Sequence, residues 1–369
     1  GVLNNGATVA DFPNPSLSWE VAKTVNIGVD ATLLKNRLNV SAEWYRRITS
    51  GILQTVSLPL SVGTSNPLFN IGELENKGVD LMIGFKDRAG AFNYGVSGNI
   101  SFVTNKVTKL YNDQPLLIAG LHRRHADNVV RIEEGRSIGT IWGYKVGGIF
   151  QSREEIEAYY AAHPDNNVTN TNLVAPGDMY FLDVQGNPTD EEPFYSKTPD
   201  GQINDFDRTE IGNVLPGYTY GLNLNVGWKG FDLVANFYGE GDVDRVNSTR
   251  RRFESMTGVH NHLTTTLDRW TPSHTNTSVP RAVVGDPAGN NRISDRWVED
   301  ASFFRLNTWQ LGYSLQNSAL ASLRNTVSSL RIYIGGNNNI YLHRWSTVDP
   351  VNDQFPLPKT FTVGLNARF

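Results

Sequence analysis

The stretch Thr24–Leu33, which reads TVNIGVDATL, decides the fold class. Every second residue is apolar, and the residues between are polar or glycine; the apolar set is Val25, Ile27, Val29, Ala31 and Leu33. A repeat of two residues places these side chains on one face of a β-strand, because successive side chains of a strand point to opposite faces. The stretch therefore predicts a strand with one apolar and one polar face.

The same alternation recurs in eight further segments. In chain order they are Leu38–Trp44, Val79–Phe85, Phe92–Phe102, Tyr220–Trp228, Phe231–Phe237, Trp309–Leu315, Leu330–Ile334 and Phe361–Phe369. Gly (34), Phe (17), Tyr (14) and Trp (8) are abundant in this 369-residue chain, as is usual for strands and turns. We therefore predict an all-β fold of about nine antiparallel strands. One helix is expected over Ser152–Ala161, with Ser152 as its N-cap residue.

The composition excludes or disfavours several classes of protein. The chain contains no cysteine, which excludes disulfides, thiolate metal sites and cysteine catalysis. The net charge of -4 argues against nucleic acid as a partner. No apolar run approaches the roughly 20 residues of a membrane-spanning helix. The chain lacks a glycine-rich phosphate loop, a G-x-S-x-G turn and an H-E-x-x-H motif, so we expect neither an enzyme nor an organic cofactor.

The connections between the predicted strands are sorted by length. Tight turns follow the first, third and fifth strands, whereas long connections cover approximately residues 50–74, 106–216, 240–300 and 338–359. Short turns at one end and long extracellular loops at the other are typical of an outer-membrane β-barrel. A soluble carbohydrate-binding β-sandwich is the alternative, because its strands also bury one face.

Aromatic residues lie near predicted strand ends on the apolar face, as in the interfacial girdles of membrane barrels; they are Trp44, Tyr94, Trp228, Phe231 and Phe369. The strand that ends at Phe369 resembles the C-terminal assembly signal of bacterial outer-membrane proteins. We therefore predict a multi-pass transmembrane antiparallel β-barrel with a periplasmic C-terminus. A single-chain bacterial barrel closes with an even number of strands, so about nine strands indicate the C-terminal portion of a larger barrel.

Five motifs, read in order, resemble one known family. They are NPSLSWE at 14–20, NIGELENKGVD at 70–80, VSGNISF at 96–102, GTIWGY at 139–144 and FRLN at 304–307. Together they resemble the C-terminal part of the SusC/RagA family of TonB-dependent outer-membrane transporters of Bacteroidetes.

This resemblance implies a function in nutrient import. Family members are about three times as long and close a barrel of about 22 strands around a plug. The plug and N-terminal domains, through which TonB acts, are not in residues 1–369, so the rest of the barrel is an expected partner. The resemblance also implies a SusD-like surface lipoprotein as a lid. We expect oligosaccharides as the imported cargo, and oligopeptides as the alternative.

An acidic segment in the second long connection suggests a calcium site. Asp183, Asp200, Asn204 and Asp207 supply carboxylate and amide oxygens near glycine turns, and Ca²⁺ prefers such ligands. Residues 188–199 interrupt the segment, so a complete EF-hand-like loop is absent. The alternative is an acidic external turn without a metal.

Aromatic residues in the long connections are candidates for substrate contact. Aromatic rings stack on sugar rings, and the expected substrate-binding set is Trp142, Tyr144, Trp270 and Trp345. The alternative is that these rings form the small cores that long loops require.

Overall fold

The computed structural model of the chain describes residues 14–55, 68–70, 72–110, 116–118, 130–164, 173–315, 327–352 and 355–369. Its strands are, in chain order, β1 (Val21–Leu33), β2 (Leu38–Ser50), β3 (Leu53–Thr55), β4 (Leu68–Asn70), β5 (Gly72–Ala89), β6 (Phe92–Leu110), β7 (Leu116–Ile118), β8 (Val130–Ile132), β9 (Thr140–Gly143), β10 (Val146–Ile149), β11 (Met179–Phe181), β12 (Thr209–Asn213), β13 (Tyr218–Trp228), β14 (Phe231–Gly241), β15 (Asp244–Val246), β16 (Val298–Asp300), β17 (Phe303–Ser314), β18 (Ser329–Asn337), β19 (Tyr341–His343) and β20 (Thr360–Arg368). The helices are α1 (Arg153–Ala162) and α2 (Ser248–Glu254). In this part of the chain, no helix is both long and apolar enough to cross a membrane.

The nine predicted strands form one antiparallel sheet, which we call the wall. Its strand order is β1-β2-β5-β6-β13-β14-β17-β18-β20, and the short β19 pairs beside the wall with β17. The last strand, β20, pairs with β18 along its whole length. Within the described residues, β1 and β20 each pair on one side only, so the wall has two open edges.

The register aligns the two faces of the wall across all nine strands. One apolar row consists of Leu33, Leu38, Phe85, Val96, Leu224, Ala235, Trp309, Gly336 and Phe361. The neighbouring row on the other face consists of Thr32, Asn39, Gly84, Ser97, Asn223, Asn236, Thr308, Asn337 and Thr360. The wall therefore has a continuous apolar outer face and a polar inner face, as a membrane barrel requires.

Hydrogen bonds between side chains connect neighbouring strands on the inner face. The amide of Asn236 donates to Asn223 over 2.5 Å, and the guanidinium of Arg331 pairs with Asp232 through Nε over 2.9 Å. Asn26 donates to Glu43 at the β1–β2 pair. These bonds satisfy polar groups that hydrocarbon could not accommodate.

Several wall strands are longer than their alternation predicted, among them β2, β5 and β6. β2, β5 and β6 each continue past the apolar rows toward the long connections. The continuation carries polar residues on both faces, such as Arg46 outside and Arg47 inside on β2. The period of two is hidden wherever both faces are polar, which is why the sequence pattern ended too early.

A β-bulge interrupts the pairing of β14 with β17. Asn236 lies opposite Thr308 and Phe237 lies opposite Leu306, so Asn307 has no partner residue on β14. The bulge keeps Leu306 and Trp309 on the apolar face, although an odd spacing separates them.

The long connections fold into small sheets and cores of their own. The largest of these sheets has the order β12-β9-β8-β7. The predicted helix is confirmed as α1, whose N-cap Ser152 accepts a hydrogen bond from the backbone of Glu155. Parts of the predicted connections lie outside the described residues, namely 56–67, 71, 111–115, 119–129 and 165–172.

Candidate functional site

Ion pairs between distant segments tie the long connections together. Arg281 donates hydrogen bonds from Nε and Nη2 to the fully buried carboxylate of Asp178, each over 2.8 Å. Asn290 donates to the same carboxylate over 2.9 Å and accepts from the backbone of Met179 over 2.8 Å. The segment that follows α1 is thereby fixed against residues 281–290. Paired and hydrogen-bonded charges of this kind are tolerated inside a protein.

A second buried network joins α2 to the last long connections. Arg250 and Arg296 both donate to the buried carboxylate of Glu254, over 3.1 and 2.5 Å. Arg250 also donates to Glu299, which accepts from the hydroxyl of Ser346 over 2.7 Å. Burial lowers the pKa of Arg296 to about 10, and the charge of Glu254 opposes that change. These contacts give the loops a rigid base above the wall.

A cavity of about 590 Å³ opens where the polar inner face meets the connections that carry Ser137, Asn213 and Asp242. Its polar lining includes Asn76, Asn105, Ser137, Asn213, Thr219, Asp242 and Asp244. The wall strands β5, β6 and β13 provide Asn76, Asn105 and Thr219, and the connections provide the remainder. The lining thus combines amide, hydroxyl and carboxylate groups, and it includes no lysine or arginine.

The two carboxylates of this cavity differ in their surroundings. Asp242 is exposed, while Asp244 is half-buried and accepts a hydrogen bond from the backbone of Asn213 over 3.3 Å. Burial raises the pKa of Asp244 above its ordinary value, the hydrogen bond from Asn213 opposes that shift, and the nearby Asp300 and Asp242 add to it. Both groups are suited to accept hydrogen bonds from hydroxyl or amide donors of a ligand.

All four aromatic residues predicted to contact substrate are buried. Trp142 and Tyr195 hold the guanidinium of Arg131 between them, 4.5 Å from each ring centroid. Tyr144 donates to Asp205 over 2.8 Å, and the indole of Trp270 donates to Gln151 over 2.9 Å.

The fourth residue, Trp345, packs in a core with Val243 and Ala301. Burial indicates that all four rings contribute to loop cores. Substrate contact by any of them stays a prediction.

The four predicted calcium ligands belong to one hydrogen-bonded loop. Asp200 accepts from the backbone of Asn187 over 2.7 Å, and Asp183 accepts from the backbone of Gly201 over 2.7 Å. Asn204 donates to the side chain of Asn187 over 3.2 Å. These bonds join residues 183–187 to residues 200–204. Residues 188–199, which lie between them in sequence, are an insertion into this loop.

Asp207 lies at the centre of this loop and is fully buried. It accepts backbone hydrogen bonds from Val184 over 3.0 Å and from Asn204 over 2.7 Å. Burial raises the pKa of Asp207 to about 6, the backbone hydrogen bonds oppose that shift, and the charge of Asp183 adds to it. In the described part of the chain, no three carboxylates or imidazoles are grouped to hold a metal ion. Calcium binding here stays a prediction.

The sequence did not point to the cavity. Asn76, Asn105 and Thr219 looked like ordinary polar positions of strands, and Asp242 and Asp244 looked like a turn. Only the register of β5, β6 and β13 brings them to one place.

Comparison with known proteins identifies related chains. A family model described as TonB dependent receptor-like, beta-barrel matches residues 1–238. TonB-dependent receptor P3 of Formosa agariphila is 30% identical over 385 residues, which cover 99% of this chain and 36% of that protein. TonB-dependent receptor SusC of Bacteroides thetaiotaomicron is 23% identical over 96% of this chain and 32% of that protein. The chain thus spans about a third of the length of these relatives.

A solved structure has the same fold. The structure of the RagAB peptide transporter superposes with a TM-score of 0.78 and 24% sequence identity. The match covers 98% of this chain and 37% of that chain. The predicted fold, a portion of a transmembrane antiparallel β-barrel, is confirmed by this similarity and by the family model.

Proposed function

Because the chain belongs to the TonB-dependent receptor-like β-barrel family of the outer membrane, we propose that it forms part of an importer of nutrient oligomers. The wall supplies barrel strands, and the long connections form the cavity that receives the cargo from outside the cell. The energy comes from TonB through a plug that belongs to the complete transporter. We propose no catalytic step for the residues of this chain.

The observation that carries this proposal is the position of the cavity. It lies where the polar inner face of the wall meets the folded connections, which is the entrance to the lumen of a barrel. A cargo held there has the hydrated inner face below it and the ion-paired loops around it. That arrangement suits passage of a hydrophilic molecule along the wall.

The lining favours an oligosaccharide as the cargo. Amide, hydroxyl and carboxylate groups exchange hydrogen bonds with sugar hydroxyls. An oligopeptide carries an ammonium group that Asp242 and Asp244 can pair, but also a terminal carboxylate, to which a lining without lysine or arginine offers no opposite charge. We therefore propose oligosaccharide import, with oligopeptide import as the alternative that the experiment below can select.

A SusD-like lipoprotein is the proposed lid over the long connections. This proposal follows from the family and from the direction in which the connections point, away from the short turns. In this orientation the short turns and Phe369 face the periplasm. Labelling of a cysteine placed at Thr189, in whole cells, tests whether the connections are outside.

Binding experiments on the full-length protein test the cargo. Hexaglucan oligosaccharides and a tryptic peptide mixture are titrated in detergent against the wild type and the double variant Asp242→Asn, Asp244→Asn. We expect oligosaccharide binding that weakens about tenfold or more in the double variant, because two charged acceptors are lost. The matched control is Asp190→Asn, at an exposed carboxylate outside the cavity. Binding of peptides alone would select the alternative, and equal binding by both variants would remove the cavity from the proposal.

A further inference from the structure

The extensions of β2, β5 and β6 past the apolar rows carry a cluster of cations on the outer face. One row of the register runs across four strands and contains, in order, Lys23, Ile48, Glu75 and Lys106. The next row toward the apolar band contains Val25, Arg46, Lys77 and Thr104. These positions have the same parity as the lipid-facing residues, so their side chains leave the wall toward the membrane and not toward the lumen. We call Lys23, Arg46, Lys77 and Lys106 the basic patch.

The depth of the basic patch matches that of lipid headgroups. The row that ends the apolar band contains Ile27, Trp44, Val79, Phe102 and Tyr218. A strand rises about 3.4 Å per residue and tilts by about 40° in a barrel, so two residues span about 5 Å of depth. Lys77 is two residues beyond this row and Lys106 is four, which places their backbones about 5 and 10 Å outside the hydrocarbon. The headgroup layer occupies about 5–8 Å on each side of the hydrocarbon core, so Lys77 lies within it, whereas Lys23 and Lys106 lie just beyond it and reach back to it with their long side chains.

The charges of the patch are only partly cancelled by its neighbours. Arg46 pairs with Glu75 over 2.5 Å. The carboxylate of Glu73 accepts hydrogen bonds from the hydroxyls of Ser50 and Thr108, each over 2.8 Å. Among the described residues, Lys23, Lys77 and Lys106 form no ion pair, and all three are exposed. The patch therefore keeps a net positive charge, because its four cations face only the two carboxylates of Glu73 and Glu75, of which Glu73 also attracts Lys23.

The patch is confined to one end of four strands. At the short-turn end of the same strands, the outward positions of β5 hold Asp87 and Ala89, and those of β6 hold Phe92 and Tyr94. A uniform scatter of surface lysines would not produce this difference. The asymmetry instead fits a membrane whose two leaflets differ in charge.

We propose that the basic patch binds the phosphate groups of anionic lipids in the leaflet beside the long connections. Each lysine supplies a mobile ammonium donor to phosphate oxygens, and Trp44 and Phe102 lie below it against the acyl chains. The assignment to the outer leaflet rests on the proposed orientation. The binding of phosphorylated lipid itself does not, because it depends only on the outer face of the wall.

Lipid binding by the full-length protein in detergent provides the test, with native mass spectrometry as the readout. The probes are bis-phosphorylated lipid A, its dephosphorylated form and phosphatidylcholine. The variant is the triple exchange Lys23→Gln, Lys77→Gln, Lys106→Gln, and the matched control exchanges the exposed Lys145, Lys197 and Lys359 for Gln. A lysine near an anionic surface contributes about fivefold in affinity, so the triple variant should bind phosphorylated lipid about 100-fold more weakly, and the control should not change.

Each outcome bears on the proposal. Equal retention of phosphorylated lipid by the triple variant and its control would overturn it, as would equal binding of the dephosphorylated lipid. Displacement of the lipid by 10 mM inorganic phosphate, about the level used in buffers, would also overturn it, because the site would then be a general anion site. Should the triple variant fail to fold, Lys77→Gln alone is expected to weaken binding about fivefold. Uptake of oligosaccharide is measured in parallel, so failure of the lipid site and failure of the transport proposal are separable.

Discussion

Replacing Leu224 by arginine tests which face of the wall meets lipid. Leu224 and Asn223 are neighbours on β13 at nearly the same depth, and they point to opposite faces. Tyr218 and Trp228 mark the aromatic ends of this strand. Ten residues at about 3.4 Å each, tilted by about 40°, span about 26 Å, close to the apolar height of about 25 Å for membrane barrels. Both residues therefore lie near the middle of the membrane.

The expected loss of folding free energy differs between the two substitutions, because the two faces of the wall meet different environments. Arginine on the lipid face at the midplane costs about 2–4 kcal/mol. Arginine at Asn223 enters the hydrated inner face and removes the 2.5 Å hydrogen bond from Asn236, which is worth about 1 kcal/mol. We therefore expect Leu224→Arg to lower the free energy of unfolding by about 1–3 kcal/mol more than Asn223→Arg does.

The assay is guanidinium unfolding of the full-length protein in phosphatidylcholine vesicles, followed by tryptophan fluorescence and by the heat-modifiable band on gels. Leu224→Ala is the matched control, because it removes the side chain without adding charge. If Asn223→Arg proved as costly as Leu224→Arg, the assignment of faces would be wrong. A shift of register by one residue would be the cause to examine, since it inverts every side chain.

Three further predictions concern assembly and the acidic loop. Phe369→Asp should reduce the folded, membrane-inserted fraction several-fold, because Phe369 is in phase with the outer face of β20, whereas Thr189→Asp should not; equal levels on heat-modifiability gels would contradict the assembly role. Calcium should increase hydrogen-exchange protection across residues 183–207, because one buried carboxylate oxygen of Asp183 has no hydrogen-bond partner among the described residues and is free to bind the ion; equal protection in calcium and in chelator would instead support the metal-free acidic turn. The same loop should gain protection as the pH falls from about 6 to about 4, because folded Asp207, with its pKa raised to about 6, keeps a proton that the unfolded chain releases; Asp207→Asn should abolish this dependence.

The wall could be predicted from sequence because its signal is local. Thr24–Leu33 and Phe361–Phe369 alternate strictly, so the sequence alone predicts which face of the strand each residue occupies. Several predicted strands stopped short where residues such as Arg46 and Lys77 make both faces polar, and β17 begins six residues before its predicted start at Trp309. The bulge at Asn307 was missed for a related reason, since one unpaired residue alters the alternation without a glycine or proline to mark it.

The connections could not be predicted in the same way because their contacts join distant residues. Asp178 and Arg281 are 103 positions apart, and nothing in either neighbourhood marks them as partners. The burial of Trp142 and Trp270 depends on such pairings, so the sequence left open whether these rings form cores or contact a ligand. The sequence identified the four residues of the acidic loop, but it did not identify the backbone groups to which they bind.

Because Asn307 has no partner residue on β14, strand β17 can become one residue shorter at this position. Deleting almost any single residue of a wall strand would exchange the lipid and lumen sides of everything beyond the deletion. Deleting Asn307 would instead leave Leu306 followed by Thr308 and Trp309, with both apolar residues still directed outward. Deletion of one residue is thus expected to be tolerated here during evolution, as at Thr108, the other residue that the described pairings of the wall leave without a partner, while regularly paired positions can change length only in pairs.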